Sequence, residues 1–310
     1  MRSARSFYRI NLGVGAVALL AILIGLAVSI RAVDFSGRTL AGVATACRNI
    51  FFPHLSVGDA LVLILGSLSL AVLGLGLRSA LRQLWFRRRL QRRLRVIGRA
   101  GQRPDAPLLI DDHRPQAFCA GYLRPRIYLS TGTLELLDDD ELRAVLAHEE
   151  HHARRRDPLR VLLVAVISDA LFFMPIMRRL RQRYAALAEV AADEAAVRAL
   201  GQAAPLASAM LAFGQVDQPG AVGIGPERID HLLGERPRWE LPVSAAIGGV
   251  ITIAGLFLFA ASVAQTTGAG DVSLPLLTAQ ACMVVMILFP IFLGMGLLLL
   301  TKRIVGARQR

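Results

Sequence analysis

The stretch His148-Glu149-Glu150-His151-His152 carries residue types that can do chemistry. Two histidines at i and i+4 of a helix project from one face, so His148 and His152 can reach one metal ion. Glu149 then stands beside that ion and can take a proton from bound water. The spacing His-Glu-x-x-His is the pattern of metal-assisted hydrolysis. Histidine is scarce, six in 310 residues, and chance produces such a match in roughly one chain in a hundred or fewer.

The residues around the motif predict the helix that must hold it. Asp138 and Glu141 have capping-box spacing, and Asp139 and Asp140 add negative charge at the start. Arg154, Arg155 and Arg156 lie at the end, and Pro158 stops the helix. Leu142, Val145 and Leu146 form an apolar stripe that continues, at about 100° per residue, into His148, Glu149 and His152. Three polar groups therefore fall on the buried face, where they need partners, and one metal ion satisfies them together. Glu150 and His151 fall on the other side, and His151 reads as solvated.

A hydrolytic zinc site needs a third protein ligand and an open position. The segment Tyr184 to Val197 is a strong helix former with Gly201 as its C-cap. Glu189 and Asp193 share one of its faces, and Ala185, Ala186, Ala192 and Ala196 allow close approach to the motif helix. Glu189 fits as third ligand, and Asp193 as the acceptor for a ligand histidine's other N–H. Taken alone, both acids would read as surface residues of an alanine-rich helix. His113, Tyr184, Arg228 and His231 are candidates to stabilise the oxyanion of a cleaved amide, and the sequence does not choose among them.

His148-Glu-Glu-His-His152 followed by Glu189-x-x-x-Asp193 resembles the gluzincin arrangement of integral-membrane metallopeptidases. The run Pro115 to Ser130, with Glu141 to His148 and Arg156-Asp-Pro158-Leu, is similar to the region around the zinc helix of the M56 (BlaR1/MecR1-like) peptidases. The resemblance covers roughly residues 115 to 200. It implies a zinc endopeptidase in signalling, cleaving itself or a cytoplasmic transcriptional repressor. No penicillin-binding sensor domain is expected after the last apolar segment, so β-lactam sensing is not implied. The M48 peptidases, which include HtpX and imply membrane-protein quality control, share the zinc pattern and are the nearest rival.

The rest of the chain predicts a membrane setting. Hydrophobic residues make up 54% of the sequence and come in long runs, which argues against a soluble protein. Segments 10–30, 60–77, 243–264 and 276–300 are each close to or above the length of a bilayer span. The net charge of +13 is concentrated: Arg78, Arg82, Arg87, Arg88, Arg89, Arg92, Arg93, Arg95 and Arg99 follow the second span with no acid among them. That flank is expected to be cytoplasmic, with both termini and the active site on the same side. Its place directly after a span favours anionic lipid headgroups over nucleic acid, and a basic helix is expected to continue along the surface. Segment 161–177 is apolar, but a crossing there would separate His152 from Glu189 and export four arginines. It is therefore expected to be re-entrant, interfacial or buried against the zinc domain.

Leu108–Ile110, 117–122 and 126–129 read as short strands, the last two around Leu123-Arg-Pro125. An edge strand there could pair with a substrate backbone, or the pair could be an ordinary core hairpin. Residues 202–240 read as a linker with a short helix at 229–233. Cys47, Cys119 and Cys282 have no plausible partners, so no disulfide and no cysteine ligand is expected.

The expected architecture is a mainly α integral membrane protein. Residues 1–80 and 241–310 supply four transmembrane helices, and 81–240 form a cytoplasmic α+β zinc peptidase domain with a small antiparallel sheet. The expected function is hydrolysis of polypeptide substrates, with Glu149 as base and His148, His152 and Glu189 holding Zn²⁺. The alternative from another class is a signalling protein whose zinc only stabilises its fold. Glu149 argues against that, since a structural site has no use for a base beside an open position.

Overall fold

A computed structural model describes residues 2–34, 57–102, 106–215, 243–268 and 272–273. The expected fourth span at 276–300, the helix at 229–233, and Cys47, Cys282, Arg228 and His231 lie outside the described residues. In chain order the elements begin with α1 (Arg2–Ala32), β1 (Val33–Asp34), α2 (Val57–Arg93), β2 (Val96–Arg99), β3 (Leu108–Ile110), β4 (Ala117–Ala120) and β5 (Arg126–Ser130). They continue with α3 (Thr131–Leu136), α4 (Asp139–Arg155), α5 (Asp157–Ala170), α6 (Pro175–Leu200), α7 (Ala204–Gln215), α8 (Val243–Thr266) and β6 (Val272–Ser273).

Among the described residues three helices, α1 from Ala4, α2 and α8, are long and apolar enough to cross a membrane. Helix α2 has 37 residues, about 55 Å at 1.5 Å per residue, against roughly 30 Å of hydrocarbon. Its basic second half therefore extends well beyond a span, as one uninterrupted helix.

The contacts divide the chain into two units, 1–20 with 71–254 and 21–70 with 255–310. In the second unit Ala32, Val62, Leu65, Ala260 and Val263 form a buried cluster. Gly25 lets α1 approach α2 there: a Cβ would stand 2.8 Å from Leu65 Cδ1, the close approach that small residues allow between apolar helices. Strands β1 and β6 pair in parallel in the same unit.

The first unit holds the motif helix, and its sheet corrects one expectation. The strand order is β2-β3-β5-β4. β2 and β4 pair antiparallel with their neighbours, but β3 runs parallel to β5. The sheet is mixed, not antiparallel, because the chain carries β4 to the outside before β5 returns beside β3. Three apolar residues at 108–110 carry no information about pairing direction. Strand β2 was not expected either, since Arg95 and Arg99 make it read as more of the basic helix. At the β4–β5 turn Gly121 has φ +122°, and a Cβ there would stand 2.5 Å from the Arg124 carbonyl oxygen.

Segment 161–177 proves to be two pieces. Helix α5 ends at Ala170, Leu171–Phe173 turn, and α6 starts at Pro175. Fourteen residues of α5 reach about 21 Å, too short to cross. Val164, Ala165 and Ser168 are buried, and Asp169, a cost in any lipid-facing span, is bonded to Ser79 and Arg181. Helix α5 packs against α6 within its own unit.

Candidate metal centre

Helix α4 begins as its sequence requires. Asp138 Oδ1 accepts from the Asp140 and Glu141 amides at 2.9 and 2.8 Å, and Glu141 Oε2 accepts from the Asp138 amide at 3.0 Å. Such a cap is worth about 1 kcal/mol. Arg156 closes the helix in the left-handed region at φ 54° and is also the N-cap of α5. Pro158 therefore sits in the first turn of α5, where its missing N–H costs nothing, rather than simply stopping α4. Along α4 the buried residues are Ala144, Val145, His148, Glu149 and His152, while Glu150 is exposed. Burial follows the apolar stripe into the motif.

Helix α6 packs against α4 through alanines. Ala192 and Ala196 are buried, and Ala196 meets Ala144 in a cluster with Leu206 and Met210 of α7. Ala185, expected on that face, is exposed instead and lines the cleft above the motif.

The three expected donor residues come together. His148 Nε2 and His152 Nε2 are 3.2 Å apart. Glu189 Oε2 is 3.5 Å from the first and Oε1 3.6 Å from the second. One donor atom from each residue can be chosen so that all three lie within 4.8 Å of one another. An ion held at 2.0–2.1 Å in tetrahedral geometry sets its donors about 3.3 Å apart, so the spacing fits a metal of zinc's size.

The other face of each imidazole explains the arrangement further. His148 Nδ1 is 2.9 Å from Asp193 Oδ1, and His152 Nδ1 is 3.0 Å from Asp157 Oδ2. A carboxylate only accepts, so each Nδ1 is assigned a proton. In the neutral tautomer both Nε2 lone pairs then face each other at 3.2 Å. Only a cation or a shared proton relieves that repulsion. Burial works to lower the His148 pKa, but the Asp193 and Glu189 carboxylates outweigh it and push it up to about 9. This pocket draws positive charge to the imidazoles.

Asp157 was not among the expected site residues. It is 3% exposed and collects His152, Tyr184 Oη at 3.4 Å, Arg155 at 3.6 Å and Arg160 at 3.7 Å. The signal in the sequence is an acid at the junction of two helices, five residues after the second histidine, with a proline following. Tyr184 is buried beside it and does not line the cleft. His113 is exposed and is also absent from that lining. His151 is half-buried rather than solvated, and burial with the nearby Arg155 pulls its pKa down to about 4.

Glu149 is buried, and that burial raises its pKa above the usual carboxylate range, while the Cys119 backbone hydrogen-bonds to it. Strand β4 is the edge of the sheet, and Ala117 to Tyr122 line a cleft of about 610 Å³ together with His148, Glu149, His152 and Glu189. Gln83, Phe86, Arg87 and Leu90 of α2 form the opposite wall, and Arg87 lies 4.6 Å over the Tyr122 ring. A strand edge unpaired among the described residues and a buried carboxylate thus share one cleft with the three donors.

The profile of Peptidase family M48 matches residues 80–216. Similar curated proteins are the "Protease HtpX homolog" of Acidiphilium cryptum (strain JF-5), 37% identical over 79 residues, 25% of this chain and 28% of that protein. The "Protease HtpX homolog" of Aquifex aeolicus (strain VF5) is 37% identical over 71 residues, 22% of this chain and 24% of that protein. The chain thus matches about a quarter of the length of these relatives. These likenesses support M48, the rival in the sequence reading, and give no support to the M56 assignment or the signalling role drawn from it.

Proposed function

We propose that this chain is an M48-type, HtpX-like zinc metalloendopeptidase anchored in a membrane, acting on polypeptides in membrane-protein quality control. His148, His152 and Glu189 would hold the ion. The carrying observation is the convergence of these three donors while both Nδ1 atoms are engaged by carboxylates. Bound there, zinc supplies a Lewis acid that lowers the pKa of water toward about 7 and polarises the scissile carbonyl.

The chain's own residues supply the rest. An extended peptide adds to the free edge of β4, where main-chain hydrogen bonds set its register without reading its sequence. Glu149 takes the proton of the attacking water and delivers it to the leaving amine. Its buried setting favours the protonated state that the second step requires. Asp157 and Asp193 hold the imidazoles in one tautomer. The active site and both termini are cytoplasmic in this reading, and the basic run from Arg78 to Arg99 faces anionic headgroups.

The test uses the full-length protein in detergent. About one zinc per chain should co-purify, cleavage of casein or of the chain itself should stop on chelation, and added Zn²⁺ should restore it. Unchanged cleavage after complete metal removal would overturn the proposal. Retained zinc with no peptidase activity would favour the structural-zinc alternative.

A further inference from the structure

We propose that a second cleft, between α2 and the α5–α6 turn, is a binding site for one anionic glycerophospholipid. Its volume is about 640 Å³, and four arginines line it: Arg78 and Arg82 from α2, Arg178 and Arg181 from α6. The acid in the lining is Asp169. Among the described residues, four positive charges against one negative leave the cleft at +3.

Asp169 organises the cleft without neutralising it. Its carboxylate accepts from Ser79 Oγ at 2.5 Å, from Arg181 Nη1 at 2.9 Å and from Arg82 Nη2 at 3.4 Å. The pair to Arg181 bridges α5 and α6, and the pair to Arg82 bridges α5 and α2. Three helices are therefore tied at one point, with guanidinium groups held beside it. Arg78 and Arg178 have no ion-pair partner among the described residues and are exposed. Four like charges so close repel one another, and an anion among them removes the repulsion. A phosphodiester presents the oxygens that guanidinium forks recognise.

The remaining wall selects the kind of phosphate. Leu75, Phe172 and Met174 are apolar, and Phe172 is 60% exposed in the turn between α5 and α6. Arg78 directly follows the apolar run of α2 that ends at Leu77, which is itself exposed. One side of the cleft thus continues into a surface made for hydrocarbon, and the other is cationic. A free phosphate uses only the second. A lipid with a charged headgroup uses both.

Occupancy would also bear on the metal centre. Arg181 and Glu189 lie on the same helix, eight residues apart, about 12 Å at 1.5 Å per residue. A lipid that clamps the start of α6 against α2 would fix the helix that carries Glu189 and Asp193. The site itself stands without the peptidase reading, so binding rather than cleavage is measured.

The full-length protein in a neutral detergent is titrated with short-chain phosphatidylglycerol, short-chain phosphatidylcholine and inorganic phosphate. Phosphatidylglycerol should bind at least tenfold tighter than either of the others. The double variant Arg78→Gln/Arg178→Gln should weaken it roughly thirty-fold, at the energy typical of one basic side chain per anionic lipid contact. Arg114→Gln/Arg124→Gln removes the same charge from exposed positions outside both the cleft and the basic run of α2 and should change binding less than threefold. Thermal melting of each variant checks that it is folded. Should the first pair misfold, Phe172→Ser replaces it and should weaken the lipid but not phosphate. Equal loss in both arginine pairs would mean diffuse attraction and overturn the site. Phosphate binding as tight as the lipid, or no loss in either cleft variant, would overturn it as well.

Discussion

Replacing Asp157 by Asn tests the reading of the metal centre at a residue that would not touch the ion. Asp157 holds His152 Nδ1 at 3.0 Å and faces Arg155 and Arg160 at 3.6 and 3.7 Å. An Asn carbonyl can still accept from His152. Its NH₂ must then point at two guanidinium groups and Tyr184 Oη, and only the hydroxyl can accept from it. The charge that stabilises a cation on His152 is lost as well. Mutating the partner that orients a ligand histidine costs about 10–100-fold in metal affinity, or about 1.4–2.7 kcal/mol. Tyr184→Phe removes the 3.4 Å contact to Asp157 and the hydroxyl's hydrogen bond with Arg160, leaves the carboxylate behind His152 in place, and should cost under about 1 kcal/mol in metal affinity. Zinc affinity is measured by competition with a chromophoric chelator, and thermal melting of the metal-free protein separates affinity from folding. Affinity in Asp157→Asn within threefold of the parent, or a larger loss in Tyr184→Phe, would refute the argument that a carboxylate behind His152 prepares the site.

Glu149→Gln should keep its zinc and lose about 10²–10⁴-fold in cleavage, whereas His148→Ala should lose both; parallel metal analysis and proteolysis assays distinguish them. Burial and the adjacent Glu149 push the Cys119 thiol up to about 12, so at pH 8 only about one thiol in ten thousand is ionised, against roughly a quarter of an ordinary one. Alkylation by iodoacetamide in the folded protein should be correspondingly slow and should accelerate only as pH climbs toward 12; an ordinary rate at pH 8 would contradict that environment. Gly132→Ala places a Cβ 2.1 Å from the His113 carbonyl oxygen, a backbone clash expected to cost about 1–3 kcal/mol, read as a lowered melting temperature.

Helix α4 was legible nearly residue by residue, because its capping box, its charged ends and its stripe are local and repeat along one helix. Glu189 and Asp193 were legible as a pair at helical spacing, but their meeting with the histidines depends on Ala192 and Ala196, buried on the face that meets α4 and α7. Strand β2 was hidden among arginines, since four residues carry too little periodicity against a strong charge pattern. Asp157 was hidden for another reason. Its role requires the left-handed turn at Arg156, which swings the start of α5 back toward His152.

Sequence alone determined the i, i+4 histidine pair, the glutamate beside it and the apolar runs of α1, α2 and α8. Those features are set by side-chain chemistry and by the periods of a single helix, which neighbours in sequence control. Only the tertiary structure decided the mixed order of the sheet, the break of segment 161–177 into α5, a turn and the start of α6, and the gathering of Arg78, Arg82, Arg178 and Arg181 around Asp169. Each depends on which distant surfaces meet, and that is settled by burial and charge compensation summed over the whole unit, not by any local pattern.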